Sequence, residues 1–309
     1  MISAIDPSGA MFLANLAQIQ NTMQQAEDQL SSGLKFQNAS DAPDQVSDIL
    51  SLRADIGRNS QVESNLSDVT TQVNTAQQAI ATAEQLVENA RTLASQGVTG
   101  TQSAETRGAL AQQVAAIQSE LISIANTQVG NRYVFGGDDY TSEPYQADSA
   151  NPDTGGGVVQ LTVTQATRQI QDPLGNTFGV DLTAQQIFDD QNPDGTPAGD
   201  NVFNAVNQLR VALQNNDVNG IQTQLTALAT ADDYLNQQLG FYGAAQNRIQ
   251  AASNLAQQMD LSYQTALSGK QDADMAQAAT QLTQGQTAEQ SALQSRAMIP
   301  RNSLFNFLG

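Results

Sequence analysis

Residues 61–98 read QVESNLSDVTTQVNTAQQAIATAEQLVENARTLASQGV. Val62, Leu66, Val69, Val73, Ala76, Ile80, Ala83, Val87, Ala90 and Ala94 follow one another at alternating steps of four and three. On a helix that spacing puts every one of them on a single stripe, the a and d positions of a heptad seam. Residues 60–96 therefore predict a rod about 55 Å long, closed by Gly97-Val98-Thr99-Gly100.

The same rhythm recurs on both sides. Before the rod, Phe12, Leu16, Ile19, Met23, Ala26 and Leu30 form a seam that Pro7 and Ser8 suit as a start and Ser31-Ser32-Gly33 as an end. After it, Leu110, Val114, Ile117, Leu121 and Ile124 form another, ending near Gly130. A fourth run starts at Ile221, Leu225 and Leu228, continues through Leu235, Leu239, Tyr242 and Ile249, and drifts through Ala252 to Ala266. Ser268-Gly269 reads as its break. A last helical stretch, about 271–296, carries Met275, Ala279, Leu282 and Leu293, but Gln286 and Glu289 interrupt its stripe. The faces away from these seams are Gln, Asn, Thr, Ser and Ala, with almost no charge ladder at e and g. Amide-rich faces suit packing against several neighbours without stranding charges.

Residues 136–200 differ. They hold Pro144, Pro152, Pro173, Pro193 and Pro197 and nine of the 22 glycines. Val158–Thr164 alternates like a strand, Phe178–Thr183 suits another, and Gly155–Gly157 and Asp172–Asn176 signal turns. The expected fold class is mainly α with a small β insertion, an elongated antiparallel helical-bundle or coiled-coil rod formed by both chain ends. The expected division is 1–40 with 268–309 as a terminal helical pair, 41–137 with 200–267 as a central rod, and 138–199 as a small β-rich outer domain. A two-helix pair of that size is marginal alone. The ends are therefore expected to order on assembly, which protease resistance and slow hydrogen exchange of both ends in the monomer would contradict.

Composition narrows the chemistry. The 309 residues contain no Cys, His or Trp, only 14% are charged, and 44 Gln and 23 Asn fill the gap. Thiolate nucleophiles, disulfides, Cys or His metal sites and a Ser-His-Asp triad are excluded. Net charge is −19. Residues 1–40 carry Lys35 against Asp6, Glu27 and Asp28, and residues 270–309 balance Lys270, Arg296 and Arg301 against Asp272, Asp274 and Glu289. The middle thus holds nearly all the acid. Twelve scattered bases form no phosphate-binding patch, so no nucleic-acid partner is expected. No apolar run approaches 18 residues, so no membrane insertion is expected, and Met1–Leu30 does not read as a Sec signal. Asp138-Asp139, Asp189-Asp190 and Asp194-Gly195 lack the spacing of a calcium loop and read as solvated loop acids. Gly155–Gly157 lacks the Lys of a phosphate loop. No enzyme site, no cofactor and no metal is expected.

Residues 30–44, LSSGLKFQNASDAPD, with Ser31, Ser32, Gly33, Asp41 and Pro43, resemble the turn after the first helix in the flagellin superfamily. Asn131-Arg132-Tyr133-Val134-Phe135-Gly136-Gly137 and the closing Ser303–Leu308 are similar to the hook–filament junction members of that superfamily. The resemblance covers about 1–137 and 200–309.

The resemblance implies a structural protein of the bacterial flagellum: a ring of copies of itself, with hook-associated protein 1 on one side and flagellin on the other. It implies an extracellular position at the junction, export without a cleaved Sec signal by the flagellar type III route, and a cytosolic export chaperone on the C-terminal helix. It further implies an assembly interface in which Phe12, Leu16, Ile19, Met23 and Leu30 meet Leu282, Leu293, Ile299, Leu304, Phe305 and Phe307 around the inner tube. A short filament flagellin, a coiled-coil adaptor unrelated to flagella and an enzyme housed in 138–200 are the alternatives.

Overall fold

The computed structural model describes residues 7–38, 42–163 and 167–298. In chain order the described elements are α1 (Pro7–Ser32), α2 (Pro43–Val98), α3 (Ala104–Ala125), β1 (Gln128–Val129), β2 (Arg132–Tyr133), β3 (Tyr145–Ala147), β4 (Val158–Gln160), β5 (Gln169–Gln171), β6 (Thr177–Gly179), α4 (Ala184–Phe188), α5 (Val202–Gln214), α6 (Val218–Gln271) and α7 (Met275–Met298). One compact unit is Asn59–Gln258, and the other brings Met1–Arg58 together with Met259–Gly309. The fold is mainly helical with small antiparallel sheets.

In the unit 59–258 the core is the heptad seam of α2. From Leu66 to Ala94 each seam residue is buried. One heptad position carries Leu66, Val73, Ile80 and Val87, while the other becomes Ala76, Ala83 and Ala90. Large and small side chains thus alternate along the stripe, which lets neighbouring helices approach closely without voids. Helix α6 runs antiparallel beside it: Asn59 Nδ2 donates to the Ala256 carbonyl at 2.8 Å and Gln246 Nε2 to Asn74 Oδ1 at 2.6 Å. Asn59 occupies the seam position before Val62 and is 5% exposed, a polar residue of the kind that fixes helix register.

One end of this helical body is pinned by Arg107. Ser103 caps α3, accepting from Thr106 N. Arg107 is buried and donates to Gly97 O at 2.7 Å, Thr99 O at 3.0 Å and Asn216 Oδ1 at 2.6 Å. Its cation satisfies carbonyls at the C-terminus of α2, where the helix dipole favours positive charge.

The β-rich segment is three separate two-stranded antiparallel hairpins, β1–β2, β3–β4 and β5–β6. Tyr145 of β3 and Phe135, just after β2, join Phe188 of α4 and Phe203 of α5 in an aromatic cluster, while β5–β6 buries Ile170 and Phe178 elsewhere. Phe135 meets Phe188 edge to face at 5.7 Å, Phe188 lies 5.8 Å from Phe203, and Tyr145 lies 5.2 Å from Phe203. Helix α5 packs against α3, and its Asn207 and Arg210 hold the 152–155 loop by its carbonyls.

Several expectations are corrected. The long helix starts at Pro43, not near 60. Ser268-Gly269 lies inside α6, which ends at Gln271. The third helix ends at Ala125, and Gln128–Tyr133 forms a hairpin instead. The two anticipated strands are only three residues each, Val158–Gln160 and Thr177–Gly179. Asp189 is not a solvated loop acid but 7% exposed.

Candidate assembly surface

In the other unit α1 and α7 lie antiparallel in contact. The Arg296 guanidinium sits 5.6 Å from the Phe12 ring, Gln20 Nε2 donates to Glu289 Oε1 at 2.9 Å, and Met23 packs over Gly285. The fully buried positions of this pair are small: Ala26, Ala278 and Gly285. Phe12, Leu16, Ile19, Met23 and Leu30 are half-buried along α1, as is Leu282 on α7. Leu293 is 51% exposed. Ile299, Leu304, Phe305 and Phe307, and Asp41 of the turn, lie outside the described residues.

The same unit leaves much apolar surface open. Met11, Leu13, Leu50, Leu261, Met275, Leu293 and Met298 are all exposed. The unit 59–258 exposes Tyr140, Val159, Leu161, Val163, Leu174 and Val218 as well. Among the described residues no three His, Cys, Asp or Glu are grouped to hold a metal ion, and no helix is long and apolar enough to cross a membrane.

The turn after α1 is a clasp. Ser31 and Ser32 end the helix, and Gly33 takes φ +73° with its N–H on Gln29 O at 2.8 Å. That left-handed C′ position turns the chain out of the helix. Leu34 then bridges Asp272: Lys35 N donates to Gln271 O and Ala273 N to Gly33 O, both at 2.8 Å. Lys35 Nζ reaches Gly269 O at 2.7 Å, and Lys270 Nζ meets Asp48 Oδ2 at 2.6 Å. The linkers preceding α2 and α7 are thereby zipped together. Pro43 sits at the first turn of α2, where its missing N–H costs nothing.

A Cβ at Gly33 meets nothing within 4 Å, so the need for glycine is conformational. Gly33→Ala is expected to weaken the clasp by about 1 kcal/mol, a roughly fivefold faster exchange of the Lys35 and Ala273 amide hydrogens. Unchanged exchange there would overturn this account.

The second motif is a packed corner of the unit 59–258. Tyr133 N donates to Tyr140 O, Val134 N to Thr127 O, and Phe135 O accepts from Ala184 N. Phe135 is 1% exposed. A Cβ at Gly136 would stand 2.8 Å from Asp139 O and 2.9 Å from Tyr140 Cα. The backbone approaches itself too closely there for any side chain.

Comparison with known proteins fits this geometry. The family model for the bacterial flagellin N-terminal helical region matches residues 9–139. Flagellar hook-associated protein 3 of Salmonella typhimurium is 28% identical over 275 residues, spanning 81% of this chain and 78% of that protein. Flagellin of Bacillus subtilis is 25% identical over 296 residues, 93% of this chain and 91% of that one. The solved structure of a flagellar hook-associated protein from Vibrio parahaemolyticus superposes with a TM-score of 0.64 at 17% identity, covering 75% of this chain and all of that one. α1 from Gly9 onward, α2, α3 and the Tyr133–Gly137 corner fall within the matched family region, and both glycine positions have a physical reason in the fold. Residues 9–139 thus match the bacterial flagellin N-terminal helical region, and most of the chain is similar to a flagellar hook-associated protein 3 and to a flagellin.

Proposed function

We propose that the chain is the junction between hook-associated protein 1 and the flagellin filament, assembled as a ring of copies. The observation that carries this reading is the match across most of both chains to a flagellar hook-associated protein 3. The Asn131–Gly137 corner supports it. Phe12, Leu16, Ile19, Met23 and Leu30 with Leu282, Leu293, Ile299, Leu304, Phe305 and Phe307 form the assembly interface of the inner tube. Its nearly balanced charge suits that place, because a net charge on each copy would repel its neighbours in a partly dry interface. Residues 41–137 with 200–267 form the outer rod, and 138–199 the solvent-facing head. The protein is no enzyme, leaves the cell without a cleaved Sec signal, and meets an export chaperone through its C-terminal helix.

Deletion of the gene in a motile host tests this. Hooks without filaments, with flagellin shed into the medium, are the expected outcome. Intact filaments in a host with no duplicate gene would overturn it. Loss of filaments without shed flagellin would identify the chain as the filament flagellin instead.

A further inference from the structure

The β3–β4 hairpin has one closed edge and one open edge. On the far edge of β3, Asn126 Oδ1 accepts from Tyr145 N at 3.1 Å and Asn126 Nδ2 donates to Tyr145 O at 2.7 Å. Between the strands, Val159 faces Gln146, Leu161 N donates to Pro144 O, and Asp148 N donates to Gly157 O, the last two at 2.9 Å. Gly157, Val159 and Leu161 thus turn their backbone groups toward β3, while Val158, Gln160 and Thr162 turn theirs to the outer edge of β4. Among the described residues no further strand pairs there, and the N–H and C=O groups of those three residues take no partner.

Val159, Leu161 and Val163 share the solvent face of this stretch and are 42%, 47% and 76% exposed. Natural sheet edges are usually guarded by a charge, a proline or a bulge. Residues 158–167 contain no charged residue and no proline, although 138–199 as a whole carry ten acids against the single base Arg168. The strip is therefore where two equally acidic copies can touch without setting charge against charge. A basic partner drawn to the acids would find no carboxylate on it. The order Val-Gln-Leu-Thr-Val also places its apolar residues identically in both directions, as a surface that meets its own copy requires.

We propose that the outer edge of β4 is a self-association site, on which a second copy of this chain lays its own β4 antiparallel across a two-fold axis at Leu161. Leu161 then faces itself, and Val159 faces Val163 of the second copy. The outward backbone groups of Gln160 pair with those of Thr162 of the second copy. The apolar residues fall at the non-hydrogen-bonded positions, where opposed side chains come closest. A shift of two residues either way leaves Val159 or Val163 without an apolar partner. Copies that all point one way in a ring are not related by such an axis, so the pairing belongs to copies outside the ring. With three apolar side chains from each copy, the contact is smaller than a stable dimer needs, and the pair is transient.

The full chain has no cysteine, so one introduced thiol reports the contact. Opposed non-hydrogen-bonded positions lie within disulfide reach, and Leu161→Cys is expected to form a linked dimer about tenfold faster under mild oxidation than Leu174→Cys. Leu174 is the more exposed of the two, at 67%, so exposure alone predicts the opposite order. Equal rates, or a faster Leu174→Cys, would overturn the proposal. Charge variants test the register separately, with sedimentation against concentration as the readout. Leu161→Lys and Leu161→Glu should each associate less than the unaltered chain, and an equal mixture should recover the association, because position 161 faces itself. A mixture no better than either variant alone overturns the two-fold register. Association that Leu161→Lys leaves intact lies on another surface and overturns the site.

Discussion

Replacing Gly285 with leucine is expected to suppress assembly while leaving the unit 59–258 folded. Gly285 is buried in the middle of α7, directly beneath Met23 of α1. An added Cβ would overlap the inner part of the Met23 side chain, which lies nearer the backbone than its mobile tip. Overpacking of this kind costs about 1–3 kcal/mol. Leucine is a better helix former than glycine, and that returns up to about 1 kcal/mol. The pair has little reserve against the remainder, because its fully buried residues are two alanines and this glycine. In an assembly each copy bears the same loss, and about 1.4 kcal/mol is a tenfold change in an equilibrium constant. Sedimentation against concentration should show the critical concentration rising tenfold or more, with the urea midpoint of the unit 59–258 unmoved. Gly285→Ala should impair assembly less, and Met23→Ala should rescue it by vacating the space its methyl group needs. An unchanged critical concentration in Gly285→Leu would show that assembly does not use this packing.

That glycine explains why the pairing of α1 with α7 is faint in the sequence. A stripe of large apolar residues is legible by its spacing, whereas a seam built on Ala26, Ala278 and Gly285 works by close approach. Leu293 reads as a seam residue and is exposed; Glu289 reads as an interruption and instead accepts from Gln20. The opposite case is α2, whose stripe from Leu66 to Ala94 is legible because nothing polar breaks it. The same helix is hidden between Pro43 and Asn59, since stepping the seam backwards meets Asn59, Asp55, Asp48 and Gln45 with only Leu52 apolar. There the helix rests on its proline start and on contacts from distant residues, such as Lys270 on Asp48 and Arg53 on Gln271.

A local signal also misled near the end of α6. Ser268-Gly269 has the composition of a break, yet the helix continues. The real punctuation is Asp274, whose Oδ1 accepts from the N–H groups of Ala276 and Gln277 and starts α7. Gly33 was legible as a helix end because the left-handed turn is a local demand. Its pairing with residues 271–273 was not, because some 240 residues separate the two strands of the clasp.

Asp189 is the clearest of these misreadings and carries the largest expected loss of stability. As a loop acid it would tolerate any substitution within about 0.5 kcal/mol. In the fold it ends α4 and accepts three hydrogen bonds: from Tyr145 Oη at 3.0 Å, Asn201 Nδ2 at 2.8 Å and Gln191 Nε2 at 3.1 Å. Burial, and then the neighbouring carboxylate, push the Tyr145 phenol up, so it remains a donor. Tyr145, 1% exposed, would be left without its acceptor inside the aromatic cluster, and Asn201, also 1% exposed, would keep only the Asp190 carbonyl for its amide. Asn201 also caps α5, so the damage extends to the helix that packs on α3. Hydrogen bonds to a charged group are worth about 1.5–3 kcal/mol each, and a buried donor left unsatisfied costs about 1–3 kcal/mol. Asp189→Ala should therefore lower the stability of the unit 59–258 by about 2–4 kcal/mol. Asp189→Asn should lower it by less, since one oxygen still accepts, although its amide now faces other donors. Asp138→Ala, an exposed acid in the same β-rich segment, should change it by no more than about 0.5 kcal/mol. Urea unfolding followed by circular dichroism decides between the two readings, because a solvated loop acid at 189 would behave as the one at 138 does.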